Sequence, residues 1–143
     1  MMIGIGTDIT ECERIGRVLE KHGDSFLEHL LTAREKAESK GRLSYYAGRW
    51  AAKEAISKAL GCGIGGQCSF LDIEILNNEA GKPEAVLTGS AAVTAEKLGA
   101  ARILLSISHE RHYAVATAVL EKDRAIRPGR ISGRPDRFSG SDI

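Results

Sequence analysis

The chain has 143 residues, 43% of them apolar and 27% charged, with a formal net charge of +1. That length and balance suit one soluble globular domain large enough to hold its own core. No apolar run approaches the roughly 18 residues a membrane helix needs, and the first residues lack a charged start followed by an apolar block. The three cysteines, Cys12, Cys62 and Cys68, have no CxxC spacing. They argue against both a disulfide framework and a zinc site and fit a reducing, cytoplasmic compartment.

The near-neutral total hides an asymmetry. Residues 1–121 carry 14 Lys+Arg against 16 Asp+Glu, whereas residues 122–143 carry 6 against 3. The first stretch reads as the folded body. The second, rich in Arg, Gly, Ser and Pro, reads as a basic, loosely ordered C-terminal tail, with a solubilising role favoured over contact with nucleic acid.

Along the body, Ile3-Gly-Ile-Gly-Thr-Asp-Ile9 alternates as a strand: Ile3, Ile5, Thr7 and Ile9 point one way, Gly4, Gly6 and Asp8 the other. One face is therefore bare, glycine-lined, and ends in a carboxylate. Thr10-x-x-Glu13 reads as a capping box opening a helix with Ile15, Val18 and Leu19 as its apolar positions. A short helical piece follows at Phe26–Leu31, and Thr32-x-x-Glu35 is a second capping box. Gly41 precedes a long helix over Tyr45–Leu60, with Ser44 as its N-cap and Gly61 beyond its end. A strand at Leu71–Leu76, a turn at 77–82, and an edge strand at Glu84–Leu87 started by Pro83 come next. Ser90–Leu98 reads as a helix stopped by Gly99. Arg102–Ser108 and Tyr113–Leu120 form a hairpin. The order predicts a single α+β domain with a largely antiparallel sheet packed with one long central helix and several short ones.

At 100° per residue the long helix divides into two halves. Ala51, Ala52, Ala55, Ile56 and Ala59 fill one; Arg49, Trp50, Lys53, Glu54, Ser57 and Lys58 fill the other. Taken alone, the second half reads as solvated surface, with Glu54 and Lys58 an i,i+4 pair worth about 0.2–0.5 kcal/mol. Trp50 inside the polar arc, and the glycine cluster Gly61-Cys-Gly-Ile-Gly-Gly66 directly after it, count against a purely solvated face. The cluster can bring backbone N–H groups close to an anion, although a glycine-rich turn by itself can equally just terminate the helix.

Two stretches, Ile3-Gly-Ile-Gly-Thr-Asp-Ile-Thr-Glu11 and Gly48-Arg-Trp-Ala-Ala-Lys-Glu-Ala-Ile-Ser-Lys-Ala-Leu-Gly61, resemble the two signatures of the holo-acyl-carrier-protein synthases, a family of the 4'-phosphopantetheinyl transferase superfamily. Leu31–Glu35, Phe70–Ile75, Gly81–Pro83 and Ser106–His109 resemble further stretches of that family, in its order, so that the likeness covers about Met2 to Leu120. The resemblance implies the superfamily's fold. It also implies transfer of the 4'-phosphopantetheine arm of coenzyme A to a serine of an apo acyl carrier protein, in support of fatty acid biosynthesis. It implies a Mg²⁺ site from Asp8 and Glu54, with Lys58 assisting proton removal, and these residue types suit the task. Mg²⁺ prefers hard oxygens and takes one or two carboxylates plus phosphate oxygens, and a serine hydroxyl is a poor nucleophile until a base takes its proton.

The resemblance further assigns the nucleotide to Arg49, Lys53 and His109, with Ser57, Lys82, Pro83, Ser108 and the Gly63 and Gly65 backbone nearby. A loop histidine such as His109 more often binds nothing. The resemblance makes Arg14, Arg17 and Lys21, otherwise a solvated stripe, a landing face for an acidic carrier protein. It implies a homotrimer with its site between neighbours, while the scattered aromatics and the lack of a long apolar run predict no nucleic-acid or membrane partner. His29, standing where the family carries arginine, and the C-terminal tail depart from the family pattern and bear on carrier preference. A metal-dependent phosphoanhydride hydrolase would share the carboxylates and cations. An RNA-binding module would need clustered aromatics that the chain lacks.

Overall fold

The computed structural model describes residues 1–123. The basic tail lies outside the described residues except for Lys122 and Asp123. The elements run β1 (Met2–Glu11), α1 (Cys12–His22), α2 (Asp24–Leu30), α3 (Ala33–Ser39), α4 (Leu43–Ala59), a 3₁₀ turn (Phe70–Asp72), β2 (Ile73–Asn77), β3 (Pro83–Leu87), α5 (Gly89–Leu98), β4 (Arg102–His109) and β5 (Tyr113–Glu121). The first and last strands pair with each other, giving a three-stranded sheet in the order β1-β5-β4; β2 and β3 form a separate ribbon. All of these pairings are antiparallel, in keeping with the expected α+β fold.

Register sorts the residues by face. Asp8 lies opposite Ala116 and Thr10 opposite Ala114, while Ile107 and His109 flank the same two alanines from β4. This inner face packs on α4. Its residues are small for a reason: a Cβ on Gly6 would stand 2.0 Å from the carbonyl oxygen of Ala55, and one on Gly4 2.3 Å from that of Ala59. Backbone therefore meets backbone, with Ala114, Ala116 and Ala118 completing the flat bed. The outer face behaves oppositely. Ile5 and Ile9 are more than 60% exposed, and Tyr113 and Val115 beside them are also exposed.

α4 is buried on nearly every side. Its alanines face the sheet as expected, but Arg49, Lys53 and Ser57 are buried too, and of the polar arc only Trp50, Glu54 and Lys58 retain exposure. The half of the helix read as polar surface is covered by α2, α3, the 3₁₀ turn and β2. Lys53 explains how. Its ammonium donates to the Leu30 carbonyl at 2.7 Å, to Glu35 Oε1 at 2.7 Å and to the Phe70 carbonyl at 3.1 Å. Glu35 also forms the expected capping box with Thr32 and accepts the Ile75 amide at its other oxygen. One buried ion pair thus pins four elements to α4.

Three local expectations are corrected. The Thr10–Glu13 box does not form: α1 starts at Cys12 with no side-chain cap. Ser44 is not the N-cap of α4, which begins at Leu43 after Arg42. The strand expected from Leu71 starts at Ile73, because Phe70–Asp72 close a 3₁₀ turn first.

Candidate active site

The sheet and the helix meet at Asp8. β1 turns this side chain inward, where Lys58, exposed in the last turn of α4, donates to Asp8 Oδ1 at 3.1 Å and to the Thr7 carbonyl at 3.0 Å. Lys58 thus pairs across elements with Asp8 rather than along the helix with Glu54, because the glycine face of β1 brings that carboxylate within reach. Glu54, one turn earlier, forms no ion pair among the described residues and is half-buried. Burial pushes its carboxyl above the usual range and the nearby Asp8 charge adds to the rise, while Lys58 and Arg14 oppose it. Two carboxylates therefore crowd one end of α4 with one ammonium between strand and helix. Such an arrangement lowers its energy by accepting a hard cation.

A concavity opens at the other end of α4. This cleft of about 180 Å³ is lined by Arg42, Tyr45, Gly48, Arg49, Pro83 and His109, among others. Arg49 is held rigidly: Nε donates to the Ile75 carbonyl at 3.1 Å, and Nη2 donates to Asn77 Oδ1 at 3.0 Å and Glu38 Oε2 at 3.2 Å. Its guanidinium lies 4.2 Å from the Tyr45 ring centroid. Burial, and after it the hydrogen bond to Glu38, push the Tyr45 hydroxyl well above its ordinary value, so the ring stays neutral beneath the cation. Arg49, Pro83 and His109 thus share one cleft. The sequence reading missed Arg42; its signal is a cation two helical turns before Arg49, on the same side of α4. Lys82 adjoins Pro83 with its ammonium buried and without a hydrogen-bond partner among the described residues, an arrangement that favours an anion alongside it.

Several residues expected at the nucleotide do not reach this cleft. Lys53 is wholly buried with its three protons donated, and the Ser57 hydroxyl donates to the Glu54 carbonyl at 2.7 Å. The Gly63 and Gly65 amides are also used: they donate to the Ser57 and Cys68 carbonyls, at 3.2 and 2.9 Å. The glycine loop thus closes the end of α4 with its own carbonyls instead of presenting those two amides to an anion. Ser108 sits opposite Val115 on the outer face of the sheet, away from its neighbour His109. Arg14, Arg17 and Lys21 are exposed on α1 as expected. Arg14 lies near enough to Glu54 to lower its pKa, and Arg17 also pairs with Glu13 at 3.4 Å. Among the described residues no helix is long and apolar enough to cross a membrane.

The profile of the 4'-phosphopantetheinyl transferase superfamily matches residues 4–118, from the glycine strand through the last hairpin, and the chain is an enzyme of that class. A holo-[acyl-carrier-protein] synthase of Vibrio cholerae serotype O1 (strain M66-2) is 46% identical over 125 residues, covering 85% of this chain and 99% of the relative. The crystal structure of the holo-[acyl-carrier-protein] synthase from Neisseria meningitidis superposes with a TM-score of 0.79 at 41% identity, over 85% of this chain and all of that one. That of Helicobacter pylori, in complex with coenzyme A, gives 0.76 at 35% identity, over 82% and 99%. Within the superfamily, this chain belongs to the holo-acyl-carrier-protein synthase family.

Proposed function

We propose that the enzyme transfers 4'-phosphopantetheine from coenzyme A to a serine of an apo acyl carrier protein, releasing adenosine 3',5'-bisphosphate, in a Mg²⁺-dependent reaction that serves fatty acid biosynthesis. The observation that carries this reading is the convergence of Asp8 and Glu54 beside Lys58, where β1 meets α4. The donor set fits Mg²⁺, with Asp8 and Glu54 as the protein oxygens; when bound, the ion would neutralise charge on the diphosphate and its leaving group. Lys58 holds Asp8 in place and supplies a positive charge for the phosphoryl oxygens. Glu54, its basicity raised by burial, takes the serine proton as the serine oxygen bonds to phosphorus and the diphosphate bridge breaks.

The Arg42–Arg49–His109 cleft takes the nucleotide's phosphate, with Arg49 pre-oriented by its fixed hydrogen bonds. Arg49 and Lys58 stand about 13 Å apart along α4 at 1.5 Å per residue. The cleft of one subunit and the carboxylates of its neighbour form one site in a homotrimer. The exposed apolar outer face of β1 and β5 supports such an assembly. Sedimentation is expected to give three times the 15.4 kDa chain mass; a monomer at assay concentration overturns the shared site.

The deciding experiment is mass spectrometry of apo carrier protein incubated with enzyme, coenzyme A and Mg²⁺, which should record one added phosphopantetheine. Cleavage of coenzyme A without carrier would favour a hydrolase instead. Arg14, Arg17 and Lys21 receive the acidic carrier beside Glu54. Arg14→Glu is expected to raise KM for carrier about tenfold, roughly 1.4 kcal/mol, because it sets like charge against an acidic partner, and to leave KM for coenzyme A unchanged; an unaltered carrier KM rejects the docking face.

A further inference from the structure

Thr10 breaks a local rule. Thr-x-x-Glu before an apolar run is a helix-capping pattern, and a threonine N-cap stabilises by about 1 kcal/mol. Here the hydroxyl turns away from α1, which starts without any side-chain cap. The Cys12 amide is satisfied instead by the His112 carbonyl across the sheet, at 2.9 Å. The freed Thr10 hydroxyl donates to Asp8 Oδ2 at 2.8 Å. Departures from local preference of this kind collect at functional sites.

We propose that Thr10 is a positioning residue for the metal-binding carboxylate of Asp8, holding one of its oxygens with a neutral donor while the other stays beside Lys58 at the strand–helix seam. Three features carry this. Asp8 and Thr10 are two apart on one strand and share the inner face, so the contact is built into the pleat. Thr10 is only 4% exposed and its β-branched side chain is stiff about χ1, so the hydroxyl has little freedom to leave. The two carboxylate oxygens are also divided: Oδ2 accepts Thr10 and Oδ1 accepts Lys58. A hydroxyl fixes the carboxylate plane without cancelling its charge, whereas a second ammonium in its place would compete with the cation. The inference rests on the reading that Asp8 holds a divalent ion, and it adds the group that aims that ligand.

The test uses the full-length protein with Mn²⁺ as probe, its binding in the presence of coenzyme A followed by electron paramagnetic resonance. Loss of a hydrogen bond to a metal ligand lowers metal affinity by about 10–100-fold. Thr10→Val, the same shape without the hydroxyl, is expected to bind Mn²⁺ at least about tenfold more weakly, and to need correspondingly more Mg²⁺ for half-maximal transfer at an unchanged KM for carrier. Thr10→Ser is expected to restore affinity to within about twofold of wild type. Thr10→Ala serves as a second hydroxyl-free variant should valine perturb folding. Wild-type Mn²⁺ affinity in the hydroxyl-free variants overturns the proposal, and so does a serine variant as weak as valine. Asp8→Asn separates the two levels. If it weakens Mn²⁺ while Thr10→Val does not, only the role of Thr10 falls; if it leaves Mn²⁺ binding intact, the metal reading falls and takes this one with it.

Discussion

Glu54→Gln is expected to lower kcat for phosphopantetheine transfer by at least about 10³-fold, a ΔΔG‡ of roughly 4 kcal/mol, while raising the thermal midpoint of the metal-free protein. The two effects share a cause. Burial and the Asp8 charge both act against ionised Glu54, so the native state binds its proton more tightly than the unfolded chain does. Between the ordinary glutamate pKa and the raised native value, stability therefore falls as pH rises, and above that window the full penalty is present. Glutamine removes the penalty at neutral pH together with the proposed metal ligand and base. A calorimetric midpoint below wild type at pH 7 without metal, or a transfer rate within tenfold of wild type, contradicts this account. Below the ordinary glutamate pKa both proteins carry a neutral group at position 54, and the difference in midpoint should shrink.

Lys53→Met is expected to destabilise the fold by about 3–5 kcal/mol, the usual cost of stranding one partner of a buried ion pair. Glu35 would be left fully buried, holding the Thr32 and Ile75 amides with no opposing cation. Urea unfolding gives the size of the loss. Affinity for coenzyme A, measured on the folded protein well below the unfolding midpoint, is expected to stay at the wild-type value, because the ammonium touches only Leu30, Glu35 and Phe70. A role at the nucleotide would reverse the pattern, with weakened binding and little lost stability. Arg49→Ala is the natural contrast, since that guanidinium lines the cleft.

These two residues also mark what a sequence can reveal. The strand around Asp8 was legible because strict alternation leaves only two faces, and glycine on one of them can mean close approach. The long helix was legible because Gly41 and Gly61 bracket an uninterrupted 3.6-residue pattern. Those patterns give a carboxylate on a strand face and a polar arc on a helix; that Asp8 meets Glu54 and Lys58 is what the family resemblance adds. Lys53 could not be read in the same way. A helical projection gives the direction in which a side chain leaves, whereas the covering of that direction by α3 and β2 depends on contacts 18 or more residues away. Glu35 concealed the same fact: its capping role was plain in the sequence, yet one carboxylate serves the cap, the ammonium and the Ile75 amide together. At Thr10 two local geometries competed for a single hydroxyl, and only the three-dimensional position of Asp8 decided between them. The glycine loop after α4 leaves two readings open in the sequence, since amides that could bind an anion can equally close the helix on its own carbonyls, as those of Gly63 and Gly65 do.

The glycine contacts at the strand–helix seam have a consequence for reach. With hydrogen atoms in place of methyls at positions 4 and 6, the main chains touch, and the gap between the strand and Lys58 on the helix shrinks to what a short aspartate can cross. A thicker seam would demand a longer acid at position 8. Each added rotatable bond would cost a further ~0.5 kcal/mol to freeze and would blur where the oxygens point. The fineness of aim at this centre is thus set partly by atoms the seam leaves out, and enlarging either residue would be felt first as a loosening of the carboxylate's bearing.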